Sequence, residues 1–161
     1  MISVQEYNAA VQEYTKNIFR FLYKALRDED AVNDLVQDCY LKLWQHRESV
    51  NPQKVKAWLF SVAYHALCTH LKTNARSVPL QDSTPLQPVY QQHGWDTREL
   101  LEKILNDLPP LQKSILLLRD LEGYEYREIG EILALGESQV KVYLFRARQR
   151  VKETINKLEK A

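Results

Sequence analysis

Apolar residues recur at three- and four-residue intervals along almost the whole chain and rarely alternate with polar ones, which is the pattern of amphipathic helices and not of half-buried strands. Only four glycines interrupt the 161 residues. The fold class this dictates is all-α. A composition of 45% hydrophobic and 27% charged residues is ordinary for a globular chain, in one domain or two small ones.

The periodic segments have readable ends. Ser3 followed by Glu6 is a capping box, and Tyr7, Val11, Tyr14, Ile18, Phe21, Leu22 and Ala25 carry a first helix to about Arg27. The acidic triplet 28–30 supplies the cap of a second helix ending near His46. Asn51 before Pro52 starts a third through Trp58, Leu59, Val62, Leu67 and Leu71. Trp58 and Phe60 read as bundle packing. From residue 74 to 95 three prolines and a glycine replace the helical period, a composition that reads as a mobile linker. Asp96 with Glu99 opens the next helix, with Leu100, Leu101, Ile104 and Leu105 as its buried face. Pro109-Pro110 breaks it, and a helix follows from about Leu111 to just before Gly123. The expected organisation is a three-helix bundle over 1–73, a linker over 74–95 and a four-helix unit over 96–161.

The end of the chain, YREIGEILALGESQVKVYLFRAR, has the spacing of a helix-turn-helix. Ile129, Ile132 and Leu133 face inward from its first helix, Gly130 is small enough to admit the second, and Leu135 plugs the turn. Gly136 stands at the N-cap, where glycine costs little relative to serine. At about 100° per residue, Val140, Leu144, Ala147 and Val151 form one apolar stripe on the second helix. Ser138, Val142, Phe145, Arg146 and Gln149 lie opposite, with Lys141 and Arg148 on one flank and Gln139, Tyr143 and Arg150 on the other.

A net charge of +1 hides a strong asymmetry. Residues 96–137 carry ten acids against five bases, and residues 138–161 seven bases against two acids, a balance of −5 followed by +5. A basic helix behind a helix-turn-helix spacing is the electrostatic footprint of DNA binding. Ser138 and Gln139 sit in the first turn, nearest base edges in a major groove. Gln139 can pair with adenine and Arg146 with guanine, while Lys141, Arg148 and Arg150 suit phosphates.

Other chemistries find little support. Cys39 and Cys68 form no CxxC pair, which fits a reducing cytosol. His65, Cys68 and His70 resemble a ligand set, but His70 lies about 140° from His65 on a helix, so one face offers at most two ligands and no metal is expected. No nucleotide-binding glycine loop, nucleophile elbow or HExxH motif occurs, so neither an enzyme nor a bound cofactor is expected. No apolar run reaches the ~20 residues of a membrane span, and a cytoplasmic location without membrane insertion follows.

Two stretches together carry a family resemblance. DLPPLQKSILLLRDLEGYEYREIGEIL with QVKVYLFRAR resembles region 4 of the small extracytoplasmic-function sigma factors of bacterial RNA polymerase, and DAVNDLVQDCYLKLW with KAWLFSVAYHAL resembles their region 2. The resemblance implies core RNA polymerase as a partner, through the β′ clamp helices and the β flap, together with promoter DNA and an anti-sigma factor. In the second helix Leu41 falls among Asp34, Gln37 and Asp38, outside the stripe of Leu35, Val36, Cys39 and Leu43. An apolar residue ringed by polar ones suits an interface centre, and these four positions match the family's polymerase-binding segment. The family's Arg-Asn pair in the third helix is replaced by Tyr64 and His65, and its basic run is reduced to Lys72 and Arg76. The resemblance assigns these four to the −10 element, where Tyr64 can stack on an exposed base. It assigns Ser138, Gln139, Lys141, Val142, Phe145, Arg146 and Arg148 to the −35 element. The linker leads us to expect the two halves to close on each other or on an anti-sigma protein. The rival readings are a stand-alone helix-turn-helix regulator that never touches polymerase and a helical interaction module with a degenerate helix-turn-helix.

Overall fold

Side-chain caps start the helices of the first half where the sequence marks them. Ser3 Oγ accepts from the Glu6 N–H and Glu6 Oε1 from the Ser3 N–H, both at 3.1 Å, opening α1 (Val4–Leu26). Asp28 accepts from the Ala31 N–H at 3.2 Å to start α2 (Glu29–Gln45). Asn51 accepts from the Gln53 N–H at 3.0 Å, and Pro52 begins a 3₁₀ turn that leads into α3 (Val55–Ser77). The computed structural model describes residues 1–77 and 96–160, so the expected linker from residue 78 onward lies outside the described residues. Its first four residues, 74–77, are instead the last turn of α3.

The second half contains α4 (Thr97–Asn106), α5 (Pro110–Leu116), α6 (Tyr126–Leu133) and α7 (Glu137–Lys160). No strand occurs among the described residues. The helix expected to run unbroken to Gly123 changes winding. Residues Leu117–Leu121 form a π-helical turn in which the Glu122 N–H donates to the Leu117 carbonyl at 3.0 Å. Leu117 and Leu118 are both held in the core by this turn, and Gly123 leaves it at φ +74°. Leu101, expected on the buried face of α4, is exposed, while Ile104 is buried.

In the first half Phe21, Leu22, Val32, Cys39, Leu43, Leu59, Ala63 and Leu67 are completely buried where α1, α2 and α3 meet. Each such leucine contributes about 1.5–3 kcal/mol relative to exposure. In the second half Ile115, Leu118, Ile129, Val140 and Ala147 are likewise fully buried. Apart from Ala147, the two sets belong to one continuous core. Phe60 joins them: its ring packs edge-on against Phe21 of α1, with centroids 5.9 Å apart, and against Tyr124 of the second half at 5.2 Å. The expectation that Phe60 packs within its own bundle thus captures half of its role. Trp58 packs beside His46, 6.1 Å between ring centres.

Candidate nucleic-acid interface

The turn between α6 and α7 fixes the face that α7 presents. Ala134 closes α6 in the left-handed region at φ 57°, and the Leu135 N–H donates to the Gly130 carbonyl at 2.9 Å. The chain then doubles back so tightly that a Cβ on Gly130 would sit 2.5 Å from the Leu135 carbonyl oxygen. No other residue type fits there without moving the backbone. Helix α7 starts at Glu137, so the turn has three residues and Gly136 stands at the N-cap, as expected.

Val140, Leu144 and Ala147 are buried as the periodicity requires, and Val151 is half-buried. Ser138, Gln139, Lys141, Val142, Phe145, Arg146 and Arg148 are all exposed. Phe145 is 63% and Val142 45% exposed, an apolar pair set in a basic surface. Such a pair can press against thymine methyls and sugars in a groove. Arg146 stacks 5.7 Å from the Tyr143 ring centre, and Lys141 lies 5.5 Å from that of Tyr126. Arg148 is paired with Asp120 at 2.8 Å. Gln139 does more than the sequence suggests: its Oε1 accepts from the Gly136 N–H at 3.0 Å, capping the very helix it belongs to. A glutamine three residues into a helix is the signal that reveals this, being half of a capping box.

On α3 the −10 candidates are less uniform. Tyr64 is half-buried, its ring 5.7 Å from that of the exposed His65. Burial, and then a hydrogen bond with Cys68, hold its phenol well above the ordinary tyrosine range, so it stays neutral. His65 Nδ1 bonds the Ser61 carbonyl at 2.7 Å, which leaves Nε2 outward. Lys72 is exposed, and Arg76 lies on the last turn of α3 with its side chain outside the described part. No group of three metal-ligating side chains occurs among the described residues, and His70 bonds Asn74 instead.

On α2, Asp34, Gln37, Asp38 and Leu41 are exposed along one stripe, with Leu41 54% exposed. The structure adds Trp44, three residues beyond Leu41, still 37% exposed, its ring stacked under the Arg47 guanidinium at 4.1 Å. Its spacing from Leu41 was the available signal. Lys54, which closes the 3₁₀ turn, and Lys56, in the first turn of α3, were also unmarked by the sequence; both pair with acids of α6.

An exposed basic recognition face on a helix-turn-helix, joined to a three-helix bundle with an apolar-centred stripe of its own, defines a two-module, all-α DNA-binding protein. Family models agree with that division: Sigma-70 region 2 matches residues 10–77 and Sigma-70 region 4 matches residues 98–151. The chain is 30% identical over 151 residues to the ECF RNA polymerase sigma factor SigM of Bacillus subtilis, covering 91% of this chain and 93% of that one. It is 26% identical over 168 residues to the ECF RNA polymerase sigma-E factor of Haemophilus influenzae, covering 94% and 88%. Among solved structures, the sigma factor RpoE of Bartonella quintana, in complex with the anti-sigma factor NepR, superimposes with a TM-score of 0.73 at 24% identity, over 95% of this chain and 98% of that one. The chain belongs to the extracytoplasmic-function group of sigma-70 factors. No described helix is long and apolar enough to cross a membrane.

Proposed function

We propose that this chain is a promoter-specificity subunit that joins core RNA polymerase through Asp34, Gln37, Asp38 and Leu41 of α2. It reads the −35 duplex with α7 and helps hold the melted −10 element with Tyr64, His65, Lys72 and Arg76. Residues 1–73 act as region 2 and residues 96–161 as region 4, in the cytoplasm and without a catalytic step of the chain's own. An anti-sigma protein is the expected regulator, in keeping with the complex in which the Bartonella relative was solved. The observation that carries this reading is that the α2 stripe and the α7 face are both solvent-exposed on one chain matched by both region models. A stand-alone repressor needs the second surface and has no use for the first. Reconstitution with core polymerase is the test: initiation on a specific set of promoters is expected, and its absence on a genome-wide template pool would sink the reading.

The reading face makes a finer forecast. Arg146→Ala removes a guanidinium that can pair with a guanine edge, so binding to the preferred −35 duplex should weaken by about 1–3 kcal/mol while affinity for unrelated duplex stays nearly constant. Fluorescence anisotropy on the two duplexes checks it. Equal losses on both would reduce Arg146 to a phosphate contact.

A further inference from the structure

Helix α7 turns an aliphatic side chain straight outward at the middle of its reading face. Val140, Leu144 and Ala147 are buried and Val151 is half-buried. At about 100° per residue, Val142 stands about 170° from the middle of that stripe, on the outermost line of the helix. Phe145 lies about 50° to one side of this line and Arg146 about 50° to the other. All three side chains are exposed. A helix laid in a major groove therefore sends Val142 toward the base edges, between a ring and a guanidinium.

Several polar groups nearby are already engaged within the protein. Gln139 Oε1 accepts from the Gly136 N–H at 3.0 Å, so pairing both ends of its amide with an adenine competes with the cap of α7. Arg148 is held by Asp120 at 2.8 Å, and Arg150 has Asp107 at 3.9 Å. Arg146 leans toward the Tyr143 ring, 5.7 Å from its centre, and stays in solvent.

The chemistry of the groove then restricts what Val142 can face. Over a guanine or adenine edge, an aliphatic group strips water from donors and acceptors and returns no hydrogen bond. Over C5 of a pyrimidine it meets the apolar substituent that the groove offers, a methyl group. Valine suits this contact because in a helix it keeps essentially one rotamer, and little freedom is lost when it touches the duplex. Phe145 shields the contact from water on one flank, and Arg146 offers a guanine its fork on the other. Between Val142 and Arg146 the helix rises about 6 Å, roughly two base-pair steps.

We infer that Val142 makes α7 a reader of a C5-methyl group, carried by thymine or by 5-methylcytosine, within about two base pairs of the guanine edge assigned to Arg146. This rests on the reading of α7 as the −35 recognition helix and adds the chemical group that sets its preference. Where the methyl belongs to 5-methylcytosine, the promoter answers to cytosine methylation.

The experiment selects preferred duplexes with the full chain from two randomised pools, one built with cytosine and one with 5-methylcytosine throughout. At each pyrimidine of the selected duplexes, anisotropy then compares thymine with uracil and 5-methylcytosine with cytosine. At one position near the guanine, removing the methyl should weaken binding about fourfold, the effect of withdrawing one buried methyl group. The comparison that shows the loss, or the tighter duplex where both do, names the base that carries it. Val142→Ser should bring the ratio close to one and Val142→Ile should preserve it, with melting curves unchanged because the side chain is exposed. Methyl removal that is silent at every position overturns the inference. So does a loss that persists in Val142→Ser, since it then reports duplex shape. In both cases a selected sequence leaves the −35 reading intact. A chain that enriches no sequence from either pool fails that reading and the methyl contact with it.

Discussion

Valine at position 130 is expected to abolish specific duplex binding while leaving the α2 surface competent for polymerase. The added Cβ falls 2.5 Å from the Leu135 carbonyl oxygen, which is backbone and cannot rotate away as a side chain would. Either α6 or the turn must shift, at a cost of about 1–3 kcal/mol for overpacking of this kind. The shift is carried directly into α7, because the turn holding it is only three residues long. Since the clash is with the Cβ itself, Gly130→Ala should produce most of the effect, although alanine is the better helix former by about 1 kcal/mol. Thermal melting together with anisotropy on a −35 duplex checks both variants. Wild-type behaviour of Gly130→Ala in the two assays would show that the turn has room the geometry denies.

The second large effect belongs to Leu41. Replacing it with Glu should cost about 2–4 kcal/mol of binding to core polymerase, a loss of roughly thirty- to several-hundredfold, as expected for an apolar residue at the centre of a polar-rimmed interface. Stability should change by no more than about 0.5 kcal/mol, because the side chain is half in water already and touches no core. Competition for core polymerase, with a melting curve as control, separates the two quantities. A variant that competes as well as wild type would remove Leu41 from the interface and leave Trp44, the other exposed apolar group on the stripe, as its next candidate.

Local features of this fold could be read from the chain, because caps and apolar spacing act within a few residues. Ser3 with Glu6, Asp28, and Asn51 before Pro52 mark helix starts that the structure places within a residue or two. The buried stripe of Val140, Leu144 and Ala147 was legible for the same reason. What escaped depends on partners far away in sequence. Arg20 and Glu122 are 102 residues apart, Lys54 and Glu131 77, and neither pair has a local signature. Lys113 reads as a solvated lysine in a short amphipathic helix until the first half is laid over it. The π-helical turn at Leu117–Leu121 was hidden by unbroken helical spacing, since one extra residue per turn is decided by which leucines the neighbouring helices can admit.

The pair between Arg148 and Asp120 bears on how DNA affinity responds to ionic strength. Counting basic side chains on α7 suggests that each phosphate contact discharges one condensed cation from the duplex and steepens the salt slope accordingly. Arg148, however, already has a carboxylate at 2.8 Å in the free protein, and Arg150 has Asp107 at 3.9 Å. When either arginine moves to a phosphate it trades one anion for another and leaves a carboxylate needing a counterion from solution. The cation freed by the DNA is then partly recaptured by the protein. If α7 makes the duplex contacts proposed for it, the net number of ions exchanged should be smaller than the number of arginines involved, and affinity for the duplex should depend less steeply on salt.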